Sequence, residues 1–374
     1  MVERDSQWLA SRVVHLLGGC RAYNGFDPVL EFRPTQTSGR TAQSTIRGYY
    51  TLFTDLENMD LGVVGADFNS GLREAKIFLP ADWRTYHASS GSNWACSNEI
   101  DRWAQIGNAG YRSKNIALWD IARRISHQLR VCSWRLRQIS ECYREQLHAQ
   151  TISGRYKAGN WFEDEFTWLG YLSIQAFLVD ACVLRDYLAE FYALYACSEP
   201  LVARGASPIT SISGLLKKGV LSTSVCANPV TKELKLATDE DGWLYLMGAY
   251  RDMVVHCVPL ARAEVSLYAL NTELHVRGVG VLPSISLPLP ANPAAIKKSR
   301  AKQEHLLTLQ DDLESFAQVS KGGVASADGL AYAYTCIDNL TKLANQLATY
   351  SPLPPEIVSL SDEDIIGDIK VTFN

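Results

Sequence analysis

The sequence predicts a mainly α-helical protein, an up-and-down helical bundle with an N-terminal α+β lobe and a small β-hairpin insertion. The first observation is that apolar residues recur at three- and four-residue steps through two long stretches, 114–149 and 163–197. The second is that short β-like runs, such as residues 29–32 and 49–53, are concentrated before residue 100. The predicted units are an N-terminal lobe over 1–105, a bundle over 106–350 and a Pro-rich, acidic tail over 351–374.

The elements of the bundle follow from local signals. The helix over 163–197 begins with Glu163, Asp164 and Glu165, acids that are favoured beside a helix N-terminus. Alternating residues around Asn228 and Pro229 predict the hairpin insertion over 220–238. Prolines between 282 and 293 indicate a connector. Further helices are predicted over 210–218, 239–257, 295–320 and 325–350.

Composition bounds the function classes. The 374 residues carry a net charge of −4, from 36 Lys and Arg against 40 Asp and Glu, so no global field attracts polyanions. The nine cysteines form no CxxC pair, which favours reduced thiols and the cytoplasm. We also expect no membrane span and no export signal, because the sequence has neither an apolar run of ~20 residues nor a basic start followed by an apolar block.

Familiar cofactor and metal motifs are missing from the sequence. It contains no phosphate-binding loop, zinc-binding HExxH helix, calcium-binding loop or GxSxG elbow. Gly278 and Gly280 lack the third glycine and the following helix of a dinucleotide fingerprint. We therefore expect no metal and no cofactor.

The candidate catalytic residues are Arg251, Asp252 and His256, near the end of a predicted helix in mostly apolar company. Burying a guanidinium and an imidazole costs free energy unless they are paired or face a ligand. Asp252 and His256 are four apart and share a helix face, whereas Arg251 and His256 lie roughly 140° apart in a straight helix. Arg251 and His256 converge only if the helix distorts or ends, and Pro259 favours such an end.

This segment resembles the HEPN superfamily (higher eukaryotes and prokaryotes nucleotide-binding) of α-helical proteins. The family motif is an Arg, usually a polar residue next, and a His after four to six intervening positions, which Arg251, Asp252 and His256 match with four. The resemblance implies a bundle of long helices and a metal-independent ribonuclease, with His256 as the base and Arg251 stabilising charge on the phosphate. It also implies a homodimer, and toxin or defence roles with a possible antitoxin or defence partner protein.

The region between residues 112 and 148 is the basic stretch of note. Several of its residues fall near one helical face, namely His127, Arg130, Arg137, Arg144 and His148, and Arg123, Arg130 and Arg137 are selected from the region. They are candidates for contacting RNA phosphates. The alternative is a solvated face with intrahelical ion pairs, such as Arg137 with Glu141. In the next helix, Arg185 and its acidic neighbours either orient Arg251 or pair with one another.

Three functional hypotheses remain open. The first is a HEPN-type, metal-independent endoribonuclease acting on RNA. The second is a non-catalytic bundle that binds a nucleotide or a protein partner, with Arg251 as an anion contact. In the third, Arg251, Asp252 and His256 are purely structural.

Overall fold

The computed structural model describes residues 12–25, 27–35, 42–68, 82–88, 92–197, 208–217, 228–257, 268–290, 293–294 and 327–357. These residues form a mixed α+β arrangement, in which long helices lie with a six-stranded antiparallel sheet and a three-stranded antiparallel sheet. The prediction of a mainly α-helical bundle is therefore wrong. The β-structure that it missed is both larger and more widely spread along the chain than a lobe with one hairpin insertion.

The first sheet has the strand order β4-β3-β2-β1-β5-β6, with β1 near its centre. Residues 29–32 fall in a strand as predicted, and two further strands precede them in the chain. Its strands are β1 Arg12–Leu16, β2 Arg21–Asn24, β3 Val29–Arg33, β4 Ala42–Thr45, β5 Val63–Phe68 and β6 Asp82–Thr85.

The two faces of this sheet differ in chemistry because successive side chains of a strand point to opposite sides. One face carries buried apolar residues, such as Val14, Ala22 and Phe32. On the opposite face, His15 of β1 lies opposite Arg21 of β2, and both are also fully buried. A buried face of this kind requires polar partners from another element.

The helices supply those partners and most of the remaining core. The prediction of β-structure over 49–53 is wrong, because a 3₁₀ turn (Tyr49–Thr51) leads into a helix there. The helices are α1 Leu52–Asn58, α2 Ala95–Arg112, α3 Ile116–Ile152, α4 Glu165–Phe191, α5 Ile212–Lys217, α6 Pro229–Thr238, α7 Trp243–Asp252 and α8 Gly329–Ala348.

Helix α3 is the wall against which the polar face of the first sheet packs. Its 37 residues span roughly 55 Å. Trp83 Nε1 donates a hydrogen bond of 2.9 Å to the Ser133 carbonyl, and Arg21 Nη2 donates one of 2.7 Å to the Ser140 carbonyl. The predicted long helices over 114–149 and 163–197 are confirmed in α3 and α4. Asp164 caps α4 through a reciprocal pair of hydrogen bonds with Thr167.

The second sheet has the order β7-β8-β9, with β7 Trp161–Phe162, β8 Ala269–Val276 and β9 Gly280–Ser286. Strands β8 and β9 form a hairpin whose turn contains Gly278 with a φ of 82°. The predicted hairpin over 220–238 is wrong where it can be compared, because Asn228 caps α6 and Pro229 occupies its first turn. Part of the predicted connector over 282–293 is strand β9.

Further predictions concern a helix and the tail near the C-terminus, the end of the N-terminal lobe and membrane-spanning segments. The helix predicted over 295–320 and the tail after residue 357 lie outside the described residues. Residue 105, the predicted end of the N-terminal lobe, lies inside α2. Among the described helices, the stretch Glu165–Ala196 is long and apolar enough to cross a membrane by length and composition, and half of its most apolar window is buried in the protein. Core helices show the same composition.

Candidate functional site

The predicted catalytic residues lie where helix α7 changes its geometry. The helix ends at Asp252 and continues directly into a π-helical turn, Met253–Cys257. Arg251 Nη1 lies 3.0 Å from Asp252 Oδ1, and their side chains are 28% and 20% exposed. His256 is exposed on the π turn. The structure therefore pairs Arg251 with Asp252 and leaves His256 accessible.

The π turn changes the angle between Arg251 and His256. A turn closed by i→i+5 hydrogen bonds advances through a smaller angle per residue than an α-turn, so the two side chains lie closer in angle than the roughly 140° of a straight helix. This is the helix distortion that the sequence analysis requires for convergence. Single π turns inside helices are found frequently at functional sites.

Two guanidinium groups meet at the buried thiol of Cys182 on α4. Burial raises the pKa of Cys182, and the positive charges of Arg185 and Arg251 oppose that rise. The thiol itself lies 3.9 Å from the carbonyl of Met247. Both arginines therefore lie near the contact between α4 and α7, where Asp186 and Asp252 balance their charges. We call residues 251–257, where α7 passes into the π turn, the Arg251 turn.

A cavity of about 340 Å³ opens beside this turn, between α4, α5, α6 and α7. Its charged lining groups are Arg185 and Asp252. Because Asp252 is one of the predicted catalytic residues, the cavity adjoins the predicted catalytic site. Hydroxyl groups are supplied by Ser213, Thr238 and Tyr245. A cleft of this size is in the range, roughly 300 to 1,000 Å³, that small-molecule sites occupy.

Arg185 is the most deeply buried charge of the cavity, with a side chain only 6% exposed. Its Nε and Nη2 both lie 3.0 Å from Asp186 Oδ1, which also accepts a hydrogen bond from the Ile212 amide. Its Nη1 lies beside Gly248, 2.9 Å from the position that a Cβ would take there. No described residue accepts a hydrogen bond from Nη1, which therefore remains able to donate to a ligand in the cavity.

The three arginines predicted to contact RNA have different environments on α3. Arg123 and Arg130 are exposed. Arg137 instead forms a bidentate pair with Asp67 of β5, with its Nε 2.8 Å and its Nη2 2.7 Å from the two carboxylate oxygens. A phosphate can therefore reach Arg123 and Arg130 directly, whereas Arg137 is already held by a carboxylate.

A second group of polar residues lies between the first sheet and α3, and the sequence analysis named only its members Arg137 and Glu141. His15 Nδ1 lies 3.2 Å from Ser140 Oγ, and His15 Nε2 lies 3.3 Å from Asp67 Oδ2 and 3.7 Å from Glu141 Oε1. We call His15, Arg21, Asp67, Arg137 and Glu141 the sheet–helix cluster. The signal for it in the sequence was weak because its members are up to 126 residues apart, from His15 to Glu141.

Ligand atoms of His15, Asp67 and Glu141 in this cluster lie within 4.8 Å of one another. Arg137 already occupies both oxygens of Asp67, and Arg21 lies 3.8 Å from Glu141. The guanidinium groups thus compensate the carboxylates in the place where a cation would have to bind. The donor set does not fit a metal site.

The pKa shifts in the cluster have clear physical causes. Burial, assisted by Arg21, lowers the pKa of His15 to about 4, so the imidazole is neutral at pH 7. Burial raises the pKa of Asp67, but hydrogen bonds from His15 and Arg137 outweigh it and hold that pKa well below its usual range. Burial lowers the pKa of Arg21 to about 10, opposed chiefly by Glu141. His15 is therefore a neutral donor, and Asp67 is a carboxylate.

Comparison of the chain with family models, with curated proteins and with solved structures finds no match.

Proposed function

We propose that the Arg251 turn is a metal-independent phosphodiester-cleaving site that acts on RNA. The observation that carries the proposal is the π turn, which brings an exposed His256 closer in angle to Arg251. Asp252, which lies between them in the sequence, lines a cavity. The similarity of Arg251, Asp252 and His256 to the HEPN motif supports the same chemistry. The bundle that the similarity implied is not the fold of this chain, so the proposal rests on the turn and its surroundings.

The reaction needs one base and one anion-stabilising group. Neutral His256 takes the proton of a ribose 2′-hydroxyl, and the 2′-oxygen attacks the adjacent phosphorus. Arg251 donates hydrogen bonds to the non-bridging oxygens while negative charge accumulates on them. The bond from phosphorus to the 5′-oxygen breaks, and solvent protonates that oxygen. The products are a 2′,3′-cyclic phosphate and a 5′-hydroxyl.

Asp252 and Arg185 set the conditions for Arg251. Asp252 contacts Arg251 at 3.0 Å and therefore fixes the direction of its guanidinium. Arg185 adds a second guanidinium near the same buried thiol, and because Asp186 and Asp252 balance the two positive charges, recognition of a phosphate depends on the N–H donors of the arginines. The arrangement can therefore bind a phosphate and hold it beside His256.

The test is cleavage of labelled RNA in EDTA, with the product ends identified. Arg251→Gln and His256→Gln are each expected to lower the rate by about 100-fold or more, because each removes one of the two chemical roles. The matched controls are His275→Gln and Arg277→Gln, exposed residues of the same types on and after β8. The controls should cleave like the wild-type protein.

Cleavage that survives both site substitutions, or no cleavage of varied RNAs by well-folded wild-type protein, contradicts the proposal. The second result would favour a non-catalytic nucleotide-binding role for the same site. The cavity with the buried Arg185 is the specific observation that keeps this second function in view.

The family resemblance also leads us to propose a homodimer in which two Arg251 turns face one substrate cleft. Light scattering of the purified protein should then give twice the chain mass. A monomeric mass under cleavage conditions would contradict the dimer without bearing on the chemistry of a single turn.

A further inference from the structure

We infer that the cavity beside the Arg251 turn is a binding site for a purine base, with guanine preferred. The inference rests on the proposed function for its biological setting, because a base bound there would belong to the RNA presented to Arg251. The cavity itself is defined by contacts that do not involve His256. Its occupancy can therefore be tested separately from cleavage.

The first step is the buried guanidinium. The side chain of Arg185 is 6% exposed, Asp186 holds two of its nitrogens, and Nη1 has no acceptor among the described residues. A guanidinium nitrogen has only N–H donors, so at the cavity wall it favours a ligand that presents an acceptor. The acceptors O6 and N7 of guanine are the base atoms that arginine contacts most commonly.

The second step is the carboxylate on the other part of the lining. Asp252 lines the cavity and also contacts Arg251. An ionised carboxylate has two oxygens with about four lone-pair sites, so it can accept a hydrogen bond from a ligand in addition to those it already accepts. Guanine offers the N–H donors of N1 and N2 beside its O6 acceptor. Adenine instead presents an amino donor where guanine has O6, so it would place a donor against Arg185.

The third step is the shape and polarity of the remaining wall. Leu216 and Leu244 supply apolar surface, and Tyr245 supplies an aromatic side chain. Proteins hold unstacked bases of RNA between surfaces of this kind and recognise their edges by hydrogen bonds. The volume of about 340 Å³ is at the small end of ligand sites, which suits one nucleotide and not a longer segment.

The test is calorimetric titration of the full-length protein with the four 5′-ribonucleoside monophosphates. We expect 5′-GMP to bind at least about 10-fold more tightly than AMP, CMP or UMP. Arg185→Lys keeps a charge but loses the planar guanidinium, and it should weaken GMP binding by a similar factor. Lys232→Met, which removes an exposed cation from α6 outside the cavity lining, is the matched control.

Because Arg185 also holds Asp186, a second variant guards against loss of folding. Gly248→Ala introduces a methyl group 2.9 Å from Arg185 Nη1 and should displace that nitrogen, lowering GMP affinity while α7 remains helical. Circular dichroism checks the fold of each variant. Absence of GMP binding at millimolar concentration, equal binding of all four nucleotides, or binding unchanged in both variants would overturn the inference.

The outcomes separate this inference from the proposed function. GMP binding without RNA cleavage by the wild-type protein would leave the base site standing and remove the nuclease. RNA cleavage that depends on Arg251 and His256, without GMP binding, would support the nuclease and contradict the base site.

Discussion

The sheet–helix cluster and the Arg251 turn both place arginine inside the protein, but they satisfy it in different ways. In the cluster, Arg137 gives two hydrogen bonds to one carboxylate, and Arg21 Nη2 reaches a backbone carbonyl, although Arg21 Nε has no acceptor among the described residues. At the turn, Arg185 uses one carboxylate oxygen for two nitrogens and leaves the third facing a cavity.

The role of a buried arginine depends on what surrounds its guanidinium. Where a carboxylate occupies the guanidinium and the surroundings are closed, the group acts mainly on stability and on the uniqueness of packing. Where a donor points into open space, a ligand can supply the missing acceptor. We therefore expect substitutions in the cluster to change the free energy of unfolding, and substitutions at the turn to change binding and catalysis.

The largest expected effect is that of Asp67→Asn in the cluster. The substitution keeps the shape of the side chain but leaves Arg137 and its neighbours without their carboxylate. We expect a loss of about 3 kcal/mol in the free energy of unfolding at pH 7, measured by urea denaturation. Asp82→Asn is the matched control, since its partner Arg84 is 42% exposed and such surface pairs contribute at most about 1 kcal/mol. Equal losses in both variants would contradict a larger stabilising role for the buried carboxylate of Asp67 than for the exposed carboxylate of Asp82.

The next effect is a dependence of stability on pH. His15 has a pKa of about 4 in the folded protein against 6.5 for an unperturbed histidine. Between these pH values His15 binds a proton in the unfolded chain but not in the folded protein. The free energy of unfolding is therefore highest above pH 6.5 with respect to His15, and it declines as the pH falls toward 4. The loss is about 3 kcal/mol, with Asp67 adding a further loss at lower pH.

Urea denaturation across pH 4 to 7 measures this dependence. His15→Gln should flatten it, because the glutamine cannot take up the proton. His127→Gln, at an exposed position of α3, should leave the dependence as it is. A wild-type stability that stays constant over this range would show that His15 is not held neutral.

A smaller expected effect is the difference in stability cost between alanine substitutions at Gly65 and Gly248. A Cβ at Gly65 would press on the Trp83 ring and come 2.6 Å from the Arg84 carbonyl, so Gly65→Ala should cost about 2 kcal/mol of stability. At Gly248 the neighbour is the far end of the Arg185 side chain, so Gly248→Ala should cost less than about 1 kcal/mol. Thermal unfolding of both variants measures the difference, and the reverse order would contradict it.

The smallest effect concerns the open arginines of α3. Arg130→Gln should weaken RNA binding modestly and lower the salt slope of the affinity by about 1, as for one lost phosphate contact. Arg33→Gln removes an exposed arginine from the first sheet and should leave the slope unchanged. Filter binding at several salt concentrations would show whether α3 contacts RNA, and an unchanged slope in Arg130→Gln would favour a solvated face.

The long helices could be predicted from the sequence because their apolar spacing is local, and α3 and α4 confirm it. Strands such as β5 could not, because both faces of the sheet are buried and one is polar. Val64, Ala66 and Phe68 alternate with Gly65 and Asp67 over only a few residues, a pattern too short to identify a strand by itself. The partner of Asp67, Arg137, lies on α3, far along the sequence. Asn228 and Pro229 misled the prediction because the same residue pair favours either a turn or a helix start.

The candidate site divides in the same way. The spacing of Arg251, Asp252 and His256 is visible in the sequence, and so is a charge at Arg185 within an apolar helix. The cavity between them is not, because four helices from separate parts of the chain enclose it. The pairing of Arg137 with Asp67 likewise depends on a contact across 70 residues.

The packing of α3 on the first sheet also has a consequence for biosynthesis. Strand β1 is synthesised before α3, yet the hydrogen-bond partner of its His15 is Ser140 of α3, which is 125 residues further along. At ribosomal speeds of roughly 5 to 20 residues per second, the strand waits about 6 to 25 s for that partner. Non-local contacts of this kind slow folding, so a chaperone that shields nascent strands should raise the yield of folded protein more than one acting after release.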